Sequence, residues 1–401
     1  MKKEKNPNIR FKKFEHNWFK DCLSKVSNSI EYGLNASAKD FDGIHKYLRI
    51  TDIDDSSRLF LTDKLSSPDV NFTEEDYENY KLRFNDLLFA RTGASVGKTY
   101  LYRESDGEVY YAGFLIRARL RDSYDGNFIF QQTLTDKYKQ FIEITSQRSG
   151  QPGVNGKEYG DWKIGMTSYP EQSAIGSLFR TIDDLLTSYK DNLDNYQSLK
   201  ATMLSKMFPK AGQTVPEIRL DGFEGEWETK ILSEVTNITM GQSPKSENYT
   251  DNPNDYILVQ GNADIKDKQV VPRLWTTEVT KMAEIGDIIL TVRAPVGDIG
   301  KTDYNVVIGR GVAAIKGNDF IFYTLEKMKK TGFWNRFSTG STFESISSND
   351  IKEAIIQIPT LKEQQAIGTY FSNLDNLINS YQEKITKLET LKKKLLQDMF
   401  I

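Results

Sequence analysis

Cysteine is almost missing from this 401-residue sequence: Cys22 stands alone, so no internal disulfide can form. Two histidines, His16 and His45, are too few for a histidine-rich metal site, and neither stands in a pattern that would serve a nucleophile. No stretch approaches the roughly 18 consecutive apolar residues of a membrane span. The opening Met-Lys-Lys-Glu-Lys-Asn-Pro is basic with no apolar run behind it, which excludes a secretory signal and predicts a soluble, cytoplasmic chain. Neither sign of charge dominates, with 53 basic and 56 acidic residues and a net charge of −3. Any nucleic-acid surface must therefore come from local clustering of Lys and Arg, or from partner chains. What is present is apolar material for cores, at 38%, in a chain too long for one core, so two domains or more are expected.

The chain is written twice. Ile9-Arg10-Phe11, Phe14-Glu15 and Trp18 return as Ile218-Arg219-Leu220, Phe223-Glu224 and Trp227. Asn85-Asp86-Leu87-Leu88-Phe89 and Val96-Gly97-Lys98-Thr99 return as Gly286-Asp287-Ile288-Ile289-Leu290 and Ile299-Gly300-Lys301-Thr302. Residues 171–208 align without gaps on 363–400, with 15 of 38 positions identical. Between these anchors, segments 19–165 and 228–357 have diverged, and each mixes strand-like apolar pieces with Gly and Asn. Each reads as a globular α+β domain.

The repeated 38 residues predict a helix. Ser168-x-x-Glu171 and Thr360-x-x-Glu363 predict a capping box at each start. One seam runs Ile175, Phe179, Ile182, Leu186, Tyr189, Leu193, Tyr196, Met203, Met207. The other runs Ile367, Phe371, Leu374, Ile378, Tyr381, Ile385, Leu388, Leu395, Met399. Steps of four and three are the heptad rule for helices that pair along their length, and both seams break at a lysine, Lys200 and Lys392. An antiparallel coiled coil with pseudo-twofold symmetry is favoured; two separate helices, each packed on its own domain, are the alternative. The boundaries expected are 1–165 and 210–357 for the domains, 166–209 and 358–401 for the helices.

Taken in order, and present twice, these pieces resemble the specificity subunit of type I restriction–modification systems over essentially the whole chain. They are the Ile-Arg-x-x-x-Phe-Glu-x-x-Trp lead-in, a Gly-to-hydroxyl turn (Gly33 to Ser37; Gly241-Gln242-Ser243-Pro244), the Asp-Leu-Leu-Phe-Ala-Arg to Val-Gly-Lys segment, and Glu-Gln-x-x-Ile-Gly opening a helix that ends Met-Phe. The resemblance implies two target-recognition domains joined by two long conserved helices. Each domain would read one half of a bipartite site on double-stranded DNA, and the helices would set the spacer. It also implies a complex with two adenine-N6 methyltransferase subunits and two endonuclease/translocase subunits. S-adenosylmethionine, ATP and Mg would belong to those partners, with no cofactor or metal in this chain.

Base reading needs Arg, Lys, Asn or Gln on loops that can enter a groove. The loop 146–155 offers Gln147, Arg148, Gln151 and Asn155; the loop 336–341 offers Arg336 and Ser341. Arg91, Lys98, Arg293 and Lys301 flank the repeated Gly-Lys turn and are candidates for DNA phosphate. That turn is not a phosphate-binding P-loop, because Thr92 and Pro295 stand where the motif needs a small residue, usually glycine. Asn252-Pro253-Asn254-Asp255-Tyr256 only faintly matches a methyltransferase motif and reads as a turn. No catalytic constellation is visible. A coiled-coil scaffold that binds proteins rather than DNA stays open as the rival reading.

Overall fold

The computed structural model describes residues 6–147, 151–337 and 345–401. They fall into two compact units, Met1–Asp191 with Gln382–Ile401, and Asn192–Tyr381. Each unit holds one globular domain with a piece of both long helices, which run Tyr169–Lys206 and Leu361–Asp398.

The first unit is built on an antiparallel sheet in the order Ser27–Tyr32, Leu115–Leu120, Asp86–Ala90, Thr99–Leu101. The strand Asp86–Ala90 lacks polar alternation because both its faces are covered. Leu87 and Phe89 enter a cluster with Trp18, Phe128 and Trp162, while Leu88 and Ala90 enter another with Leu48, Tyr100 and Tyr111. A ribbon of Phe19–Cys22 on Lys163–Met166 joins the domain's two ends. Ile175, Phe179 and Ile182 of the first long helix are buried, and Tyr189 is half-buried. Phe179 stacks on Phe400, from the chain's other end, with ring centroids 5.7 Å apart. Asp183 meets Lys392 at 2.6 Å and Lys190 meets Glu389 at 2.8 Å, so one number rises as the other falls and these helix pieces run antiparallel.

The second unit repeats this construction. Its larger sheet runs Ile238–Met240, Val312–Ile315, Ile288–Thr291, Ile299–Lys301, Gln269–Val270, Ile265–Lys266. Ile288 and Leu290 point into one core, and Ile289 into another with Val259 and Val306. The closing ribbon is Glu228–Ile231 on Ile355–Ile358. Ile367, Phe371 and Leu374 are buried, and Tyr381 is half-buried. Phe208 packs on Phe320, Phe371 and Trp227 with centroids 5.4, 6.0 and 6.0 Å away. Tyr196 stacks on Tyr381 at 5.6 Å and Lys200 meets Asp375 at 2.6 Å, again antiparallel. Each domain's core is thus completed by the Met-Phe end of the helix that follows the other domain in sequence.

The capping boxes form only in part. The Glu363 amide donates to Thr360 Oγ1 at 3.4 Å, but the Glu171 amide donates to the Ser168 backbone carbonyl at 3.0 Å. Neither carboxylate turns back to its cap. Arg10 forks onto Glu171 at 2.6 and 2.8 Å, and Arg219 onto Glu363 at 2.8 Å through both nitrogens. Two charge-assisted bonds outcompete the single amide bond of a capping box. The repeated Ile-Arg lead-in therefore serves to pin its domain to the start of a long helix.

Both seam lysines find an aspartate on the other helix, Lys392 with Asp183 and Lys200 with Asp375. Lys200 is 3% exposed and also meets Glu326 at 3.0 Å, which Lys268 reaches at 2.9 Å. Burial opposes ionisation of Glu326 and Asp375, but the ammonium groups of Lys268 and Lys200 outweigh it and hold both below the usual carboxylate range.

Candidate nucleic-acid interface

In the first unit, four segments converge where the strand Asp86–Ala90 ends. The Arg91 amide donates to Phe114 O at 3.1 Å, the Val154 amide to Arg91 O at 2.9 Å, and the Gly93 amide to Pro152 O at 3.1 Å. The Arg91 guanidinium lies 5.1 Å from the centroid of the Tyr32 ring, whose hydroxyl accepts from the Gly156 amide at 3.1 Å. Gly33 allows this convergence, since a Cβ there would stand 2.1 Å from Ala112 O. Beside it Phe114 is 64% exposed. Gln151 is exposed, and Gln147 is exposed at the foot of the same loop, where the Gly153 amide donates to Ser146 O at 3.3 Å. Asn155 instead caps the short helix Gly156–Gly160, its Oδ1 accepting from the Glu158 amide at 3.0 Å. A cation, two aromatic rings and loop amides on one surface can contact phosphate, stack on bases and hydrogen-bond base edges.

In the second unit the Val292 amide donates to Gly311 O at 2.9 Å, so Val292, not Arg293, takes the place of Arg91. Arg293 is the next residue, exposed, and bridges to Ser345. With Ser243, Gln260, Asn262 and Arg310 it lines a polar cavity of about 290 Å³. The Arg310 amide donates to Ser243 Oγ at 3.0 Å. Two glycines make this close approach possible: a Cβ on Gly241 would stand 2.0 Å from Gly309 O, and one on Gly311 would stand 1.9 Å from Gln260 O.

Of the other residues predicted for DNA, Lys98, Lys301 and Arg336 are not brought to these surfaces. Lys98 is 7% exposed and pairs with Asp55 at 2.7 Å. Lys301 pairs with Asp319 and lies over the Phe322 ring. Arg336 stacks its guanidinium on Phe333 and Phe337, 3.7 and 4.8 Å from the ring centroids. Arg148 and Ser341 lie outside the described residues. Sequence reasoning missed Tyr32, Phe114, Gln260, Asn262 and Arg310 as surface residues; its signal for them was the glycine of each Gly-to-hydroxyl turn. Asn252 does form a turn, with the Asp255 amide donating to its carbonyl at 3.1 Å. His45 stacks on Phe72 at 3.9 Å and meets Asp42 at 2.7 Å, a packing arrangement. Among the described residues no group of three or more His, Cys, Asp or Glu could hold a metal ion, and no helix is long and apolar enough to cross a membrane.

Residues 224–390 match the family model of the type I restriction modification DNA specificity domain. The chain is 26% identical to the MjaX protein of Methanocaldococcus jannaschii, described as a type I restriction enzyme specificity subunit, over 94% of this chain and 90% of that one. It is 20% identical to the MjaVIII specificity subunit of the same organism, over 89% and 85%. Among solved structures it is similar to the S subunit of a type I restriction–modification system from M. genitalium, with a TM-score of 0.68 at 16% identity, covering 99% of each chain. A chain from the type I system solved for complex assembly and conformational transition superposes with a TM-score of 0.52 at 22% identity, over 95% of this chain and 97% of that one.

Proposed function

From its place among the specificity subunits of type I restriction–modification systems, the family to which this chain belongs, we propose that each of its domains reads one half of a bipartite DNA site. The observation that carries this reading is a surface built twice on one scaffold with different chemistry. At the end of the same central strand, the first domain presents Arg91, Tyr32 and Phe114, and the second presents Arg293, Arg310, Gln260 and Asn262. A shared frame with unlike side chains is what two readers of unlike half-sites require.

The chain's role is recognition, without catalysis. Methylation would come from two methyltransferase subunits carrying S-adenosylmethionine and docked on the paired helices. Cleavage would come from two endonuclease/translocase subunits that use ATP and Mg, all within the cytoplasm. The helices would act as a ruler: each heptad adds about 10.5 Å at 1.5 Å per residue, or roughly three base pairs.

The test is DNA binding by the chain assembled with its methyltransferase subunits, across a salt series. The expected result is a sequence-specific complex whose affinity falls steeply with salt, as phosphate contacts dictate. Equal binding to unrelated duplexes at every salt concentration would favour the protein-interaction scaffold instead.

A further inference from the structure

The cavity at the end of strand Ile288–Thr291 is lined by six side chains that can donate hydrogen bonds, Ser243, Tyr249, Gln260, Asn262, Arg293 and Arg310, and, among the described residues, by no carboxylate. Gln260 Nε2 is buried with no partner among the described residues, although buried amide groups in folded proteins nearly always have one. Arg293 and Arg310 are both exposed and form no ion pair among the described residues. Ser243 Oγ already accepts from the Arg310 amide, so its hydroxyl hydrogen is free to be donated. The glycines at 241 and 311 keep the backbone close around this space, and a side chain at either would collide with it. The side chains of Arg293, Arg310 and Ser243 therefore line one small opening with the buried Gln260 amide beside them, and no acceptor for Gln260 Nε2 or for either guanidinium is found among the described residues.

We propose that this cavity reads guanine, so that the half-site recognised by the second domain contains a guanine contacted by Arg310 with Gln260. This rests on the DNA-reading function proposed above. The match is one of sign. Guanine shows two acceptors, N7 and O6, on its major-groove edge, whereas cytosine shows a donor there and thymine a methyl group and one acceptor. An arginine fork fits the guanine pair, and the buried Gln260 amide supplies a further donor. The first domain is built otherwise: in the equivalent loop Arg49 forks onto Asp52, at 2.8 Å through each nitrogen, and is already engaged. The two domains are thus expected to differ in the bases they read at this position.

The experiment uses the full chain assembled with its partner subunits and maps the methylated motif, alongside selection from a randomised DNA library. Wild type should give a bipartite motif with guanine in the half-site of the second domain. Arg310→Ala should relax the preference at one guanine by roughly ten- to a hundredfold, the range of one bidentate contact, leaving the other half-site unchanged. Arg310→Lys should relax it as well, since lysine keeps the charge without the fork. Gln260→Ala should weaken the same position. A uniform loss across all sequences with a shallower salt dependence would make Arg310 a phosphate contact and overturn the proposal. Unaltered discrimination in a folded variant would overturn it equally. If wild type itself shows no sequence preference, the DNA-reading function fails and this inference with it; if only the variants leave the motif intact, this inference alone fails.

Discussion

Glu171 and Glu363, 0% and 1% exposed, are buried carboxylates whose charge is compensated by the Arg10 and Arg219 forks, with the Thr167 hydroxyl also donating to Glu171 at 2.5 Å. Removing one arginine leaves a buried charge unpaired, which costs about 3–5 kcal/mol, whereas replacing both partners with apolar residues of similar volume is often close to neutral. Arg219→Ala should therefore lower the second unit's stability by that amount in urea unfolding, and Arg219→Met with Glu363→Met should recover much of it. Equal losses in single and double variants would mean the ion pair is not what matters. The cluster around Lys200 gives a pH prediction. Asp375 and Glu326 ionise below their ordinary range in the folded chain, so their stabilising effect is complete above about pH 4 to 4.5 and fades as pH falls through the depressed folded values. Asp375→Asn should be less stable at neutral pH and show a flatter acid limb; an acid limb as steep as wild type would contradict this. At this scale the sequence was least legible. Lys98 and Lys301 belong to a repeated Gly-Lys pair beside a strand, Lys98 just before Thr99–Leu101 and Lys301 at the end of Ile299–Lys301, but their partners, Asp55 and Asp319, lie elsewhere in the chain and follow no local pattern.

The long helices were the most legible elements, because a seam with steps of four and three leaves little choice about which face is buried. Their antiparallel run was inferable from the duplication. What no local pattern revealed is that each helix end completes the other domain's core. Phe400 packs on Trp18, Phe128 and Phe179, so truncating a residue at the end of the chain should loosen a domain near its beginning. Phe400→Ala is expected to cost about 3–5 kcal/mol as a large-to-small core change. Hydrogen exchange should quicken in the strand Asp86–Ala90 and stay unchanged in Ile288–Thr291; the reverse pattern would refute this pairing of cores. The central strands were half legible. Their continuous apolar runs showed burial, but the division of alternate residues between two cores needed the structure.

For the whole molecule, a net charge of −3 requires that a DNA-reading role, as proposed, rest on local clusters of Arg and Lys or on phosphate contacts supplied by partner subunits. Duplication with divergence between matched anchors predicts modularity. The loops facing solvent can change without disturbing the ribbons Phe19–Cys22 with Lys163–Met166 and Glu228–Ile231 with Ile355–Ile358, which close each domain. The most direct measurement is the methylated motif of a chain in which residues 228–357 are replaced by the corresponding segment of a relative. The predicted result is a bipartite motif with one half changed, and with the other half and the spacer retained. A motif altered in both halves, or in neither while methylation persists, would contradict the account.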